Sequence, residues 1–118
     1  MSPGPRRSRA ALAAKTRLLA VYAYGAYTEQ VRFQFDPAKA TSNLKKHGVS
    51  FADAEGVFYD PLAIHQLDPD SESEERFVAV GEGSAGTILV VIYTLPGEEV
   101  RLISARLATR HEVKNYES

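Results

Sequence analysis

The fold of this chain is decided between residues 35 and 51, which read FDPAKATSNLKKHGVSF. Asp36 and Pro37 mark a helix start, because an Asp oxygen caps free N–H groups and Pro at the first position lacks a donor that would be unpaired anyway. Gly48 can adopt the left-handed conformation that ends a helix, and Ser50 can cap a second helix from Phe51. We therefore predict two helices joined by a tight corner, the first over 37–46.

The rest of the chain reads mainly as strands. We predict strands over 31–35, 62–67, 76–81, 87–94 and 100–105, and helices over 51–58 and 109–116. Thr109 and Glu112 form a possible capping box, and the apolar run 88–92 is typical of a central strand. This order, with short links between the later strands, favours an α+β fold. We expect a small antiparallel sheet of four to five strands, flanked by two N-terminal helices and one C-terminal helix, with one sheet face available.

Length and composition limit the possibilities. A chain of 118 residues has room for one domain, and without Cys it has neither a disulfide framework nor a thiolate metal site. This composition fits the reducing cytoplasm. The net charge of -1 hides basic ends and an acidic segment over 68–75, so a basic face is compatible with the overall balance.

The first thirty residues differ from the rest. Arginines and lysines precede an apolar run over 18–27, which resembles a signal peptide but is too short to span a membrane. We weigh export against a poorly ordered N-terminal extension over 1–30 and favour the extension, with the compact domain over 31–118. A wrongly assigned start codon, with initiation at Val31, stays open as an alternative.

Several segments between Val31 and Glu117 together resemble the toxin subunit of BrnT-type toxin–antitoxin pairs, within the RelE/ParE-like ribonuclease superfamily. The most specific feature is Lys-His-Gly-Val-Ser-Phe at 46–51 combined with Ile-Ser-Ala-Arg-x-Ala-Thr at 103–109. Further matching positions are 35–40, Asn43, 57–58, 60–62, 75–77, Gly81, 89–91, Arg101, Glu112 and Tyr116.

The resemblance implies a RelE-like fold and a cytoplasmic toxin that degrades mRNA, free or on the ribosome, without a metal or other cofactor. It also implies a ribbon-helix-helix antitoxin, similar to BrnA, through which the toxin reaches operator DNA. No membrane partner is implied.

Three positions depart from the family's pattern. Glu82 and Thr87 stand where the family often carries Arg, and Val113 follows Glu112 where an Arg is common. Each departure removes positive charge and predicts weak RNA binding by the chain alone, or positioning by the ribosome. Two alternatives stay open: a non-enzymatic domain that binds the antitoxin as a co-repressor, and a gyrase inhibitor.

Metal-independent RNA cleavage needs a base for the 2′-OH, cations for the charge that develops at phosphorus, and an acid for the leaving oxygen. His47 and Glu112 are the candidate bases. Guanidinium groups are bidentate phosphate donors, so the catalytic candidates are His47, Arg76, Arg101, Arg106 and Glu112. The RNA-binding candidates are Lys45, Lys46, Tyr93 and Arg110.

Each candidate also has a plain structural interpretation. His47, Lys45 and Lys46 complement a helix C-terminus, and Arg76 can form a surface ion pair with neighbouring acids. Outward arginines on a strand need no special reason. A metal site at Asp60, His65, Asp68 and Asp70 matches no ligand spacing, so we predict a solvated acidic loop there and no metal.

Overall fold

The computed structural model describes residues 31–72 and 74–118. The predicted N-terminal extension lies outside the described residues. The elements run in the order β1 (Phe33–Gln34), α1 (Pro37–His47), α2 (Phe51–Glu55), a 3₁₀ helix (Gly56–Tyr59), β2 (Ile64–Leu67), β3 (Phe77–Glu82), β4 (Ile88–Thr94), β5 (Val100–Leu107) and α3 (Arg110–Glu117). The predicted α+β class, with two N-terminal helices and one C-terminal helix around the sheet, is confirmed.

The helix ends follow from the capping residues that the sequence predicts. Asp36 accepts a hydrogen bond from the backbone N–H of Ala38, and Gly48 ends α1 with φ of 70°. Ser50 caps α2, and the capping box of Thr109 and Glu112 starts α3. The predicted second helix is shorter than expected, because the chain changes to a 3₁₀ helix at Gly56.

The sheet has five strands in the order β1-β5-β4-β3-β2. Strands β2 to β5 are antiparallel neighbours, as predicted, whereas β1 pairs with β5 in parallel, so the sheet is mixed. The parallel pair places Phe33 beside Val100 and Gln34 beside Arg101. A register shift between Ile92 and Tyr93 bends the pairing of β4 with β5.

The core lies between the sheet and the two N-terminal helices. Its central strand is β4, from which Leu89, Val91 and Tyr93 point into the core. Phe58 of the 3₁₀ helix packs edge-on against Tyr93, with ring centroids 4.8 Å apart. Because side chains alternate along a strand, the residues between these core positions lie on the other face of the sheet, here called the second face.

Asn43 is the buried polar residue that joins α1 to the sheet. Its amide nitrogen donates to the carbonyls of Val49 and Ala105, at 2.9 and 2.8 Å, and its amide oxygen accepts from the N–H of Ala105 at 3.0 Å. The short strand β1 ends before it reaches Ala105. The Asn43 side chain therefore pairs the part of the β5 edge that β1 leaves uncovered.

Polar contacts hold both ends of helix α3. Glu112 reaches Arg106, which alternates with the core residue Ala105 and so lies on the second face. The hydroxyl of Tyr116 donates to the Asp60 carboxylate at 2.5 Å, which raises the pKa of Tyr116 to about 12. Helix α3 therefore begins on the second face, opposite the two N-terminal helices.

Candidate functional site

The arginines predicted to bind phosphate occupy the second face in two separate places. Thr94 pairs with Arg101, and Val90 pairs with Arg106. Thr94 follows Val90 by four positions along β4, which corresponds to about 13 Å in an extended strand. The structure therefore places Arg101 and Arg106 on one face of the sheet without bringing them into a single cluster.

Arg76 lies at the same end of the second face as Arg101. The N–H of Asp68 donates to the Arg76 carbonyl at 2.7 Å, so the pairing of β2 with β3 continues one residue beyond the strands. Since Phe77 pairs with Tyr93, the same register sets Arg76 opposite Thr94. Arg76, Thr94 and Arg101 thus form one cross-strand row, here called the Arg101 row.

Thr94 is unusual among the residues of this row. Its side chain is 1% exposed, and its hydroxyl is buried without a hydrogen-bond partner among the residues that the structure describes. The Arg76 guanidinium likewise makes no hydrogen bond or ion pair within residues 31–72 and 74–118. The surface ion pair considered for Arg76 is therefore absent from this part of the chain.

A neutral side chain holds Arg101. Its Nε donates to the amide oxygen of Gln34 at 3.1 Å, and the amide nitrogen of Gln34 donates to the Glu99 carboxylate at 2.7 Å. Among the described residues, Nη1 also forms a long ion pair with Glu74, whose carboxylate oxygen lies 4.0 Å away. The Arg101 side chain is 39% exposed and that of Glu74 is 58% exposed, so water screens this ion pair.

A carboxylate holds Arg106. Its two terminal nitrogens donate to the two oxygens of Glu112 at 2.8 and 2.9 Å, a bidentate ion pair. Glu112 also accepts from the backbone N–H of Thr109. The Arg106 hydrogen bond, helped by that N–H, lowers the pKa of Glu112 to about 2, and the same pair raises the pKa of Arg106. A carboxylate this acidic is a weak base at neutral pH.

The cationic end of α1 lies close to the Arg106 end of the second face. Asn43 contacts the backbone of Ala105, the residue before Arg106, and His47 follows Asn43 by one helical turn on the same side of α1. His47 is half-buried, whereas Lys45 and Lys46 are exposed. Among the described residues, none forms a hydrogen bond with the His47 ring.

The prediction that Tyr93 contacts RNA is wrong. Tyr93 is 0% exposed, and its ring packs in the core against Phe58 and Phe77. Its hydroxyl is 2.8 Å from Nδ1 of His65, and burial raises the pKa of Tyr93. The side chain therefore neither stacks on a base nor reaches a substrate, because it points away from the second face.

One predicted RNA-binding residue, Arg110, lies at the margin of this surface. Arg110 is exposed in the first turn of α3, two residues before Glu112.

Within the described ranges, no three His, Asp or Glu side chains gather closely enough to hold a metal ion. No helix in the same part of the chain is both long and apolar enough to cross a lipid bilayer.

Sequence reasoning missed Gln34, Glu99 and Thr94. Gln34 alternates with Phe33 and Phe35, which indicates that it faces away from the core. That alternation names no partner, since the partner depends on the parallel pairing of β1 with β5. Thr94 carries no local signal, because a strand Thr is usually a packing residue.

Comparisons with known proteins agree with this architecture. The sequence model described as the ribonuclease toxin BrnT of type II toxin–antitoxin systems matches residues 35–112. The fold is similar to a 1.1 Å crystal structure of the Brucella abortus ribonuclease toxin BrnT, with a TM-score of 0.51 and 28% identity. That match covers 69% of this chain and 100% of the Brucella chain. A search among curated proteins gives no match. Because the family model covers more than half of its length, this chain belongs to the BrnT family of ribonuclease toxins of type II toxin–antitoxin systems.

Proposed function

We propose that this chain is a metal-independent endoribonuclease that cleaves mRNA on the second face of its sheet. The observation that carries the proposal is the Arg101 row, where Arg76 and Arg101 flank Thr94. The Arg101 terminal nitrogens make no hydrogen bond among the described residues, and their ion pair with the exposed Glu74 is long, at 4.0 Å. Guanidinium groups match phosphate oxygens bidentately, so this row suits the scissile phosphate. Residues 31–118 form the catalytic domain, and the proposed substrate sets its place of action in the cytoplasm.

The proposed reaction begins when a base removes the proton of a 2′-OH. The 2′ oxygen then bonds to the adjacent phosphorus, the bond to the 5′ oxygen breaks, and that oxygen takes a proton, leaving a 2′,3′-cyclic phosphate and a 5′-OH. Of the two predicted bases, His47 is less engaged than Glu112, which binds Arg106 and Thr109. Both lie at the Arg106 end, about 13 Å along β4 from the Arg101 row, so in this proposal a water molecule accepts the 2′-OH proton at the row. Arg76 and Arg101 stabilise the charge on the phosphate oxygens in the transition state.

Arg106 and the lysines of α1 serve binding in this proposal. Lys45 and Lys46 are exposed at the end of α1, beside the part of β5 that carries Arg106. Arg110 extends the same basic surface on α3. These cations contact the phosphates that flank the scissile one, and their contribution to affinity falls as salt is added.

The test is cleavage of purified mRNA by the full chain in the presence of a metal chelator. We expect fragments that end in a 2′,3′-cyclic phosphate and begin with a 5′-OH, identified by mass spectrometry. R101Q should abolish most of this cleavage, whereas K39Q, which removes one charge from the first turns of α1, should leave it unchanged. Intact mRNA after incubation with soluble wild-type chain would contradict the proposal.

We propose a ribbon-helix-helix protein as the antitoxin partner. Membership of a type II family implies an antitoxin. The basic end of α1 and exposed apolar side chains such as Leu44 and Leu107 suit an acidic or amphipathic segment of such a protein. Co-expression with the product of an adjacent short reading frame should restore growth and yield a stable complex. A stable complex would bury on the order of 1,600 Å². Failure of any neighbouring ribbon-helix-helix protein to bind would refute this part alone.

The Arg106–Glu112 pair favours one alternative, a co-repressor that binds the antitoxin without cleaving RNA. Both terminal nitrogens of Arg106 are taken by a carboxylate, which leaves fewer free cations on the second face. The co-repressor would sharpen operator binding by the antitoxin while mRNA stays intact. Cleavage of RNA in vitro by the wild-type chain excludes it.

A further inference from the structure

We propose that Gln34 is a positioning residue for Arg101, and that Glu99 orients Gln34 in turn. The inference rests on the proposed function and adds residues for which the family resemblance gives no role. The three side chains form a relay in which Arg101 donates to Gln34 and Gln34 donates to Glu99. We call the side chains of Arg101, Gln34 and Glu99 the relay.

The relay determines which way the Gln34 amide points. A carboxylate accepts hydrogen bonds and cannot donate them, so Glu99 binds the amide nitrogen of Gln34. The amide oxygen is then directed at Nε of Arg101, which can only donate. Each end of the amide has one compatible partner, and the reversed amide would set donors against donors and acceptors against acceptors.

The backbone supports the same arrangement. Gln34 and Arg101 are paired residues of β1 and β5, so their side chains leave the sheet side by side on the second face. Glu99 immediately precedes β5, at the same end of the sheet. Both Gln34 and Glu99 are half-buried, which restricts their movement.

The chemical consequence is a guanidinium that is fixed by a neutral hydrogen-bond partner, while its ion pair with the exposed Glu74 spans 4.0 Å. Gln34 uses Nε and carries no charge, so the terminal nitrogens stay available to a phosphate. A carboxylate at position 34 would hold Arg101 equally well but would compete with the phosphate for its charge. The relay keeps the charge of Glu99 one amide away from Arg101.

The first experiment replaces Gln34 by Met, which keeps the length of the side chain and removes both hydrogen bonds. The Arg101 charge remains, so we expect RNA affinity and its salt dependence to change less than about twofold. The rate constant for cleavage should fall about tenfold, because the guanidinium is no longer oriented. A Q34M variant that cleaves RNA at the wild-type rate would overturn the inference.

The second experiment moves the charge along the relay. In Q34E, two carboxylates face each other and the folded state should be destabilised. In Q34E/E99Q, the amide introduced at position 99 can donate to the carboxylate introduced at position 34, so both hydrogen bonds and the net charge are restored. A purely structural role predicts that the double variant regains stability and cleavage together. We expect regained stability with RNA binding at least about fivefold weaker, because the carboxylate now contacts Arg101. Wild-type RNA binding by the double variant would overturn the claim that a neutral contact matters.

Two controls keep these outcomes apart from a failure of the proposed function. E98Q removes a charge from the exposed neighbour of Glu99 and should behave as wild type. NMR order parameters of the Arg101 Nε–H group test the relay without any cleavage assay: we expect order in the wild type and its loss in Q34M. An equally mobile Nε–H in both proteins would refute the relay. An inactive wild type with an ordered Nε–H would refute only the nuclease.

Discussion

Arg101 and Arg106 lie on the same strand and the same face, yet they are held in opposite ways. A neutral amide binds Arg101 through Nε, whereas a carboxylate binds Arg106 through both terminal nitrogens. The first arrangement leaves the phosphate-binding edge of the guanidinium with only a 4.0 Å ion pair to the exposed Glu74, whereas the second fills that edge with two short hydrogen bonds. Position on a strand therefore does not decide whether an arginine is ready to bind phosphate; its neighbours do.

The different partners of Arg101 and Arg106 follow from the local structure around each residue. Arg101 stands where β1 pairs with β5, so its partner comes from a neighbouring strand. Arg106 stands near the end of β5, and its partner comes from the first turn of α3. The Glu112 carboxylate already serves as part of the capping box of that helix. The Arg106 pair thus links a strand to a helix start, a structural task that the Arg101 row does not have.

The largest expected effect is on catalysis when each arginine is replaced by Lys. R101K keeps the charge but loses the planar fork and the Gln34 contact, so we expect cleavage to fall about a hundredfold. R106K should cost only about tenfold, because Arg106 is engaged by Glu112 in the resting protein. Single-turnover cleavage of a defined RNA measures both. Equal losses would show that the two arginines act as one unit.

The next largest effect concerns the support of the Arg106 end. N43A removes three hydrogen bonds and leaves the N–H and carbonyl of Ala105 unpaired in a buried place. We expect a loss of about 3 kcal/mol in the free energy of unfolding, measured by urea denaturation. S42A, at the exposed neighbouring position of α1, is the control and should stay within about 0.5 kcal/mol of the wild type. A small effect of N43A would mean that α1 is held by packing alone.

Local signals in the sequence were sufficient for the helix ends and insufficient for the site. The ends of α1 follow from Asp36 and Gly48, because caps act within one turn. The second helix changes to 3₁₀ at Gly56, where a Cβ would clash with the backbone nitrogen of Ser84. That close approach is a tertiary contact, and the residues around Gly56 do not indicate it.

The same limit explains the errors in the predicted site. The run from Ile88 to Ile92 is apolar at every position, so it does not show which face of the strand Tyr93 takes. The parallel pairing of β1 is a long-range contact, and the role inferred for Gln34 depends on it. The arginines were correctly expected on one face, but their separation and different partners follow from the register.

E112Q tests whether the carboxylate masks Arg106. Gln at this position still caps α3 but no longer neutralises the guanidinium, so RNA affinity should rise about threefold to tenfold. The slope of log affinity against log salt should steepen by about one phosphate contact. E117Q removes the same charge from the exposed end of α3 and should change affinity much less. Unchanged affinity of E112Q would show that RNA displaces Glu112 without cost.

The same variant has a pH signature. The folded state lowers the pKa of Glu112 from 4.5 to about 2, so its contribution to stability is present above about pH 4.5 and is lost as the pH falls towards 2. The pair is partly exposed and therefore screened by water, so we expect this contribution to be about 1 kcal/mol. E112Q should lack this portion of the acid-induced loss in thermal unfolding experiments. Identical acid profiles of the wild type and E112Q would show that the pair does not contribute to the stability of the folded state.

The smallest expected effect concerns Thr94, at the Arg101 end of the second face. Thr94 buries a hydroxyl without a partner among the described residues, which costs free energy, and Val fills the same volume without it. We expect T94V to gain up to about 1 kcal/mol in the free energy of unfolding, measured by urea denaturation. Arg76 and Arg101 keep their positions in T94V, so cleavage should stay at the wild-type level if Thr94 only separates them. A more stable T94V that cleaves RNA poorly would show instead that the hydroxyl is kept at a stability cost because it contacts the substrate, and the Arg101 row would then act through three side chains.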